Sequence, residues 1–305
     1  MIRFLFRRVV TALCVAVTVS LLTFVLLRMS TDPAIALAGE GASAADIERV
    51  RVDYGLDRPL LVLYGEWASR ALHGDLGRSH ALSTSVSKLL QERLPVTFKL
   101  GGLALIFALA LALPLGVAAG TYPNSLADRV AMAISVLGQS MPTFWFGLIL
   151  ILYFGVYWRL LPISGDTTWA HYILPASALG FYSAPSVMRL TRAGMVEALS
   201  SDYIRTARAK GLLERTTILK HAFGNAMVPV VSLSAVQLGL MLGGSIVIET
   251  VFSLNGIGRL AWESIKRSDF DVMQAIVLVV ALIYIGLMLA ADLLNAYLDP
   301  RIRMS

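Results

Sequence analysis

The chain has 305 residues, of which 57% are hydrophobic and 15% are charged, and its mean hydropathy is +0.71. Soluble domains carry about 25% charged residues, so this composition excludes an ordinary soluble domain and favours a membrane protein. The formal net charge of +6 does not indicate a nucleic-acid partner, because the basic residues are spread between apolar segments. We attribute the charge to topology and to contact with anionic membrane lipid. The single cysteine, Cys14, excludes an intramolecular disulfide and a cysteine-based zinc site.

The first apolar segment, residues 9–27, is uncharged and long enough to cross about 30 Å of hydrocarbon. Arginines flank it at both ends, and no small-residue cleavage site follows it. Residues 1–28 are therefore predicted to form an N-terminal cytoplasmic end and a retained first membrane helix.

Residues 29–96 are polar and of mixed charge, which predicts an extracytoplasmic segment with short amphipathic helices. Ser43 is suited to cap a helix that runs to about Tyr54. Pro59 is suited to the first position of another helix.

Residues 97–305 are predicted to form a core of five further membrane helices. Pro114 interrupts the first of its apolar runs and Pro142 the second, and a kink is predicted at Pro142. The predicted fold class is an all-α membrane protein with six transmembrane helices, whose two termini both lie in the cytoplasm. The apolar runs are 100–119, 130–158, 172–188, 222–248 and 272–291.

The segment 200–221, between the fourth and fifth runs, is the most strongly charged part of this core. Ser200 and Ser201 offer N-cap hydroxyls, and a short helix is predicted to start near Asp202. Gly211 follows as a residue that can adopt a left-handed conformation, before a second helix begins. Because cytoplasmic loops are generally basic, charge alone explains this segment equally well as an ordinary loop.

Several kinds of site are absent from the sequence. It has no Gly-rich phosphate loop, no pair of histidines at metal-ligand spacing, and no charged residue in the middle of an apolar run. We therefore predict no catalytic, cofactor or metal site, and no enzyme activity, in this chain. Candidates for a polar pathway or a hinge are Gln139, Ser140, Pro142, Gln237 and Gln274, although hydrogen bonding between helices explains the polar ones as well.

The stretch Asp202–Gly211, with the sequence DYIRTARAKG, resembles the cytoplasmic EAA loop of ABC importer permeases, in the form found in the dipeptide/oligopeptide/nickel family. Arg205, Thr206 and Ala207 stand where the general loop has Glu-Ala-Ala. The resemblance covers nearly the whole chain. It includes further short motifs at residues 54–59, 140–145 and 249–259 and in the tail, residues 299–303. In the motif 249–259, Asn255 replaces a proline.

The resemblance implies a type I importer permease in the cytoplasmic membrane of a prokaryote. Its partners would be a second homologous permease, in a hetero- or homodimer, two ATPases that bind ATP and Mg²⁺, and an extracytoplasmic solute-binding protein. The implied function is a translocation pathway for di- or oligopeptides; a secondary carrier or channel without an ATPase is the alternative. The implied ATPase-coupling residues, with Tyr203 and Ala207 expected to make the buried contact, are Asp202, Tyr203, Arg205, Thr206, Ala207, Arg208, Ala209, Lys210 and Gly211.

Overall fold

The computed structural model describes residues 2–30, 32–39 and 41–298. Across these residues the chain is helical apart from turns, loops and one isolated bridge between Arg78 and Ser85. The predicted all-α class is confirmed. The tail residues 299–303, which carry part of the resemblance, lie outside the described part of the chain.

The chain divides into two compact units. The first unit consists of residues 1–97 and 255–285. Its helices are α1 (Ile2–Ser30), α2 (Pro33–Ala38), α3 (Ala44–Asp53), α4 (Leu60–Leu72), the start of α5 (Val86–Thr121), α12 (Ile257–Lys266) and most of α13 (Phe270–Leu298).

Two apolar clusters hold the first unit together. In one, Phe24 of α1 packs against Leu63 and Trp67 of α4. In the other, the start of α5 packs against α12 and α13 through Val86, Ile257 and Val272 and their neighbours. These clusters bring segments that are far apart in the sequence into one body.

The second unit consists of residues 98–254 and the described end of α13. α8 contributes many of its buried side chains, from Tyr172 to Ala198. The helices of this unit are the remainder of α5, α6 (Leu126–Ser140), α7 (Thr143–Leu150), a π-helical stretch (Ile151–Tyr157), α8 (Ala170–Ser200), α9 (Asp202–Ala209), α10 (Glu214–Thr216), a second π-helical stretch (Thr217–Ala222) and α11 (Phe223–Val251).

Four described helices are long and apolar enough to cross a membrane: 8–30, 86–121, 214–251 and 270–294. α6 and the helix that begins with α7 meet at an angle of 103°, and they give a fifth crossing if this bent pair is one span. The predicted fourth span, 172–188, is helical but lies inside α8, which is not among those four helices. A sixth crossing by α8 therefore stays a prediction.

Local signals in the sequence set several helix ends correctly. The Ser43 hydroxyl accepts a hydrogen bond from the backbone N–H of Asp46, so the predicted cap of α3 is confirmed. Pro59 lies at the N-cap of α4, one position before the predicted one. The predicted break at Pro142 is confirmed, because α6 ends at Ser140 and α7 begins at Thr143. At Pro114, in contrast, α5 continues without a break.

Close approach between α5 and α8 depends on glycine. A Cβ atom on Gly180 would lie 2.5 Å from the carbonyl oxygen of Ala104 and 2.9 Å from the Phe107 ring. Gly180→Ala is therefore expected to lower the thermal midpoint of the purified chain, at a cost of about 1–3 kcal/mol for overpacking. Gly102→Ala on α5 is the control, since a Cβ there meets no atom within 4 Å. Equal midpoints in the two variants would contradict this packing.

Candidate functional site

The helix α9 begins and ends as the sequence signals require, with one difference. Ser201 occupies the N-cap position with extended backbone, but its hydroxyl donates to the Ala198 carbonyl at 2.5 Å and does not cap α9. At the other end Gly211 has a φ of +75°. Its N–H donates to the Arg208 carbonyl at 2.9 Å, and the N–H of Leu212 donates to the Ala207 carbonyl at 3.3 Å. This pair of bonds is a Schellman motif, which turns the chain sharply after α9.

One face of α9 is buried against the chain itself. Ile204 is fully buried and Ala207 is 8% exposed. Ile204 belongs to an apolar cluster with Met195 and Ala198 from the end of α8, with Ala222 at the end of the second π-helical stretch, and with Ala226 near the start of α11. Because α9 packs on both helices at once, a displacement of α9 must move the ends of α8 and α11 with it.

The opposite face of α9 is exposed, and it carries most of the predicted coupling residues. Tyr203 is 42% exposed, and six further exposed residues follow or flank it: Asp202, Arg205, Thr206, Arg208, Ala209 and Lys210. Gly211 is exposed as well. Ala207 differs from the prediction. It was expected to form a buried contact with a partner beside Tyr203, but here it lies on the inner face, because the helix uses it to pack on the rest of its own unit.

Two ion pairs order the charges on this surface. Arg205 pairs with Asp202 one turn earlier. Arg208 makes a two-pronged contact with Glu214 of α10, with Nε–Oε2 and Nη2–Oε1 distances of 3.1 and 2.6 Å. Hydrogen bonding to this carboxylate raises the pKa of Arg208, so its guanidinium stays charged. The second pair also ties α9 to the helix that follows the turn.

A third ion pair joins α8 to α6. Arg192 donates from Nε and Nη2 to the two carboxylate oxygens of Asp128 at 2.6 and 2.8 Å. Asp128 is buried, and its Oδ2 also accepts from the backbone N–H of Asn124 at 2.9 Å. The carboxylate raises the pKa of Arg192 through these hydrogen bonds. The sequence analysis missed this pair, because nothing local indicates a partner 64 positions away.

Three of the predicted pathway or hinge residues meet at the bend between α6 and α7. Pro142 is the N-cap of α7 and is exposed, as are Gln139 and Ser140. The Gln139 carbonyl oxygen accepts from Arg189 Nη1 at 3.1 Å, and the Ser140 hydroxyl donates to the Val136 carbonyl at 2.8 Å. The first bond joins α6 to α8, and the second lies within α6. The polar side chains at the bend remain exposed.

The two other predicted residues lie elsewhere. Gln237 is a half-buried residue of α11 in the second unit. Gln274 belongs to the first unit and is 3% exposed, and its Nε2 donates to the Ser20 carbonyl of α1 at 2.7 Å. This contact favours the alternative in which Gln274 hydrogen-bonds between helices.

Glu249 is a buried carboxylate near the end of α11. It is fully buried, and Ser245 Oγ donates to its Oε1 at 2.9 Å. No local sequence signal separates a buried glutamate near a helix end from an exposed one.

Comparison with known families identifies the whole chain. Residues 112–304 match the family described as the inner membrane component of binding-protein-dependent transport systems, and residues 1–101 match its N-terminal region. The chain is 39% identical over 306 residues to a protein of Brucella abortus strain 2308 that is named as a peptide transport system permease, covering 97% of this chain and 98% of that protein. It is also 39% identical over 304 residues to the glutathione transport system permease protein of Escherichia coli strain K12, covering 99% of both.

Solved structures with low sequence identity share the fold. A chain of the methionine ABC transporter MetNI in an inward-facing conformation matches with a TM-score of 0.58 at 20% identity, covering 69% of this chain and 96% of that one. A chain of an amino acid ABC transporter solved with histidines matches with a TM-score of 0.51 at 19% identity, covering 70% and 94%. The architecture is that of a type I ABC importer permease. The chain belongs to the family of inner membrane components of binding-protein-dependent transport systems.

Proposed function

We propose that this chain is one of two membrane subunits of an ATP-driven peptide importer, and that α9 is the surface through which partner ATPases act on it. The relatives named above are a peptide permease and a glutathione permease, and glutathione is itself a small peptide. The observation that carries the proposal is the position of α9. It exposes a charged face, while its apolar face packs on the ends of two long helices.

The proposed mechanism is a rigid displacement. Closure of two ATPases around ATP and Mg²⁺ pushes on the exposed face of α9 in the cytoplasm. The cluster around Ile204 passes the movement to α8 and α11, and the Asp128–Arg192 pair passes it from α8 to α6. The bend at Pro142 then lies at the far end of a helix that moves. Such a device works only if ATP binding favours one of two conformations over the other.

The orientation and the partners are part of the proposal. Segment 200–221 is rich in arginine and lysine, which favours the cytoplasmic side, with both termini on that side too. A second permease of the same family completes the pathway, and an extracytoplasmic solute-binding protein delivers the solute. Because the relatives carry different solute names, the binding protein is proposed to make much of the selection among peptides.

The test is the energy source of uptake. In cells that depend on this chain for uptake of a labelled dipeptide, depleting ATP while preserving the proton gradient is expected to reduce uptake to background. Collapsing the gradient while preserving ATP is expected to leave uptake largely intact. Uptake that follows the gradient and not ATP would contradict the proposal and favour a secondary carrier.

A further inference from the structure

A large cavity in the first unit is not part of the proposed coupling device. Its volume is about 1050 Å³, and its walls come from the end of α1, from α4, from the loop before α5 and from the stretch that leads into α13. Aromatic rings and charged groups share its lining. The titratable groups of the lining include the imidazole of His80, the carboxylates of Glu66, Asp75 and Asp271, and the guanidinium groups of Arg28, Arg58, Arg70, Arg78 and Arg267.

The three carboxylates are already engaged. Glu66 Oε1 accepts from Arg58 Nη1 at 2.5 Å. Asp75 Oδ1 accepts from the backbone N–H of Gly77 at 3.0 Å, and Asp271 Oδ2 accepts from the backbone N–H of Arg78 at 3.3 Å. These bonds fold the wall of the cavity, and the five arginines of the lining outnumber its three carboxylates.

Three of the arginines are not engaged in the same way. Within the described part of the chain, the guanidinium groups of Arg28, Arg70 and Arg267 make no hydrogen bond or salt bridge, although the backbone of Arg267 donates to Glu263 and that of Arg70 accepts from His73 and Asp75. The Arg28 guanidinium lies 4.5 Å from the centroid of the Phe24 ring, and Asp271 is the lining acid that acts electrostatically on Arg28 and Arg70. Arg70 and Arg267 are exposed, so their guanidinium donors are hydrated and can be taken up by a ligand in the cavity.

An indole N–H in the same wall lacks a partner as well. Trp67 is 5% exposed and is held by ring contacts with Phe24 and Tyr64, so its side chain is fixed. Its Nε1 is buried and has no hydrogen-bond acceptor among the described residues. A buried donor left unpaired is costly and uncommon in folded proteins, and an indole can only donate. Because the indole nitrogen is closed off from the cavity and the ring is held in place, the Trp67 N–H is a fixed reporter in the cavity wall.

We propose that this cavity, which Trp67 also lines, binds a ligand through an oxyanion, a carboxylate or a phosphate, which accepts hydrogen bonds from Arg70 and Arg267. Guanidinium groups bind both oxyanions with matched geometry, and these bonds are stronger than neutral ones. Phe24 and Phe270 line the cavity and supply contact for an apolar portion of the ligand. The oxyanion has two sources, a phospholipid headgroup or the carboxylate of a dissolved peptide, and each makes the same contacts.

The test uses the full-length purified chain with ¹⁵N-labelled tryptophan, and the indole resonance of Trp67 is assigned with Trp67→Phe. One arm compares nanodiscs of phosphatidylcholine with and without phosphatidylglycerol. A second arm titrates the chain with inorganic phosphate. The chain is then titrated with dialanine and, for comparison, with dialanine amide, which lacks the C-terminal carboxylate. A saturable shift of the Trp67 resonance is expected in at least one arm, and the arm that responds identifies the source.

The matched variants separate this site from a general charge effect. Arg70→Gln with Arg267→Gln is expected to weaken binding at least about tenfold, since each hydrogen bond to a charged group is lost. Arg49→Gln removes an exposed arginine of the same unit that does not line the cavity, and it is expected to leave binding unchanged. The double variant Arg70→Lys with Arg267→Lys keeps both positive charges and serves as a control for correct folding. No shift in either arm, or equal affinities in the Gln variant and the Arg49 control, would overturn the proposal.

Discussion

Replacing Gly211 with proline is expected to reduce peptide uptake to background while the subunit remains in the membrane. Gly211 has a φ of +75°, whereas the proline ring fixes φ near −65°. Proline also lacks the N–H that donates to the Arg208 carbonyl at 2.9 Å. The Schellman motif therefore loses both this hydrogen bond and the left-handed turn at residue 211. α9 then leaves its place on α8 and α11, and the ATPase no longer moves those helices.

The measurements are uptake of a labelled dipeptide and the amount of the subunit in isolated membranes. Gly41→Pro is the matched control, because Gly41 has a φ of +86° and, like Gly211, has open space around its Cβ direction. It belongs to the first unit, so uptake is expected to persist. Gly211→Ala is expected to fall between the two, since a left-handed backbone costs about 1–2 kcal/mol for a residue with a Cβ atom. Normal uptake in Gly211→Pro would refute the proposed role of the turn.

The features that the sequence predicted well depend on local signals. The left-handed Gly211, the start of α9 at Asp202 and the break at Pro142 each follow from one residue's backbone preference. Segment 9–27 was recognisable by its length and lack of charge, which are also local properties. For these elements the structure changed the helix ends by a few residues and did not change the interpretation.

The features that the sequence did not predict depend on tertiary contacts. The pairing of Asp128 with Arg192 needs the packing of α6 on α8, which no pattern within either helix encodes. The cavity of the first unit gathers arginines from segments that are far apart in the sequence, and no local pattern indicates that they share one lining.

The inner face of α9 shows why partner contacts were the hardest to predict. An eight-residue helix has only two turns, so its pattern does not tell whether an apolar residue faces a partner or its own chain. Ala207 was therefore assigned to the partner face although Ile204 and Ala207 together form the inner one. Tyr203 remains on the exposed face, where its role in coupling stays a prediction.

Reversing the charge of Arg205 and Arg208 together is expected to abolish both ATPase association and uptake. The two guanidinium groups lie on the exposed face of α9, and a partner surface that complements them becomes repulsive when glutamate replaces them. We expect retention of the ATPase in a pull-down to fall at least about tenfold. Membrane abundance should not change, because exposed ion pairs contribute little to folding stability.

A charge swap separates partner recognition from the internal pair. Arg208→Glu alone places a second carboxylate beside Glu214 at the start of α10. Its effect would therefore combine a changed partner surface with repulsion inside the chain. Arg208→Glu with Glu214→Arg restores the internal pair with the signs exchanged. If the ATPase recognises a positive charge at position 208, association is not recovered in the swapped variant. Recovered association would show that only the internal ion pair matters, and it would contradict the proposed recognition. The control is Arg49→Glu, which is expected to leave association and uptake unchanged. Arg49 forms an exposed ion pair with Asp46, three residues earlier, and this is the spacing of Asp202 and Arg205.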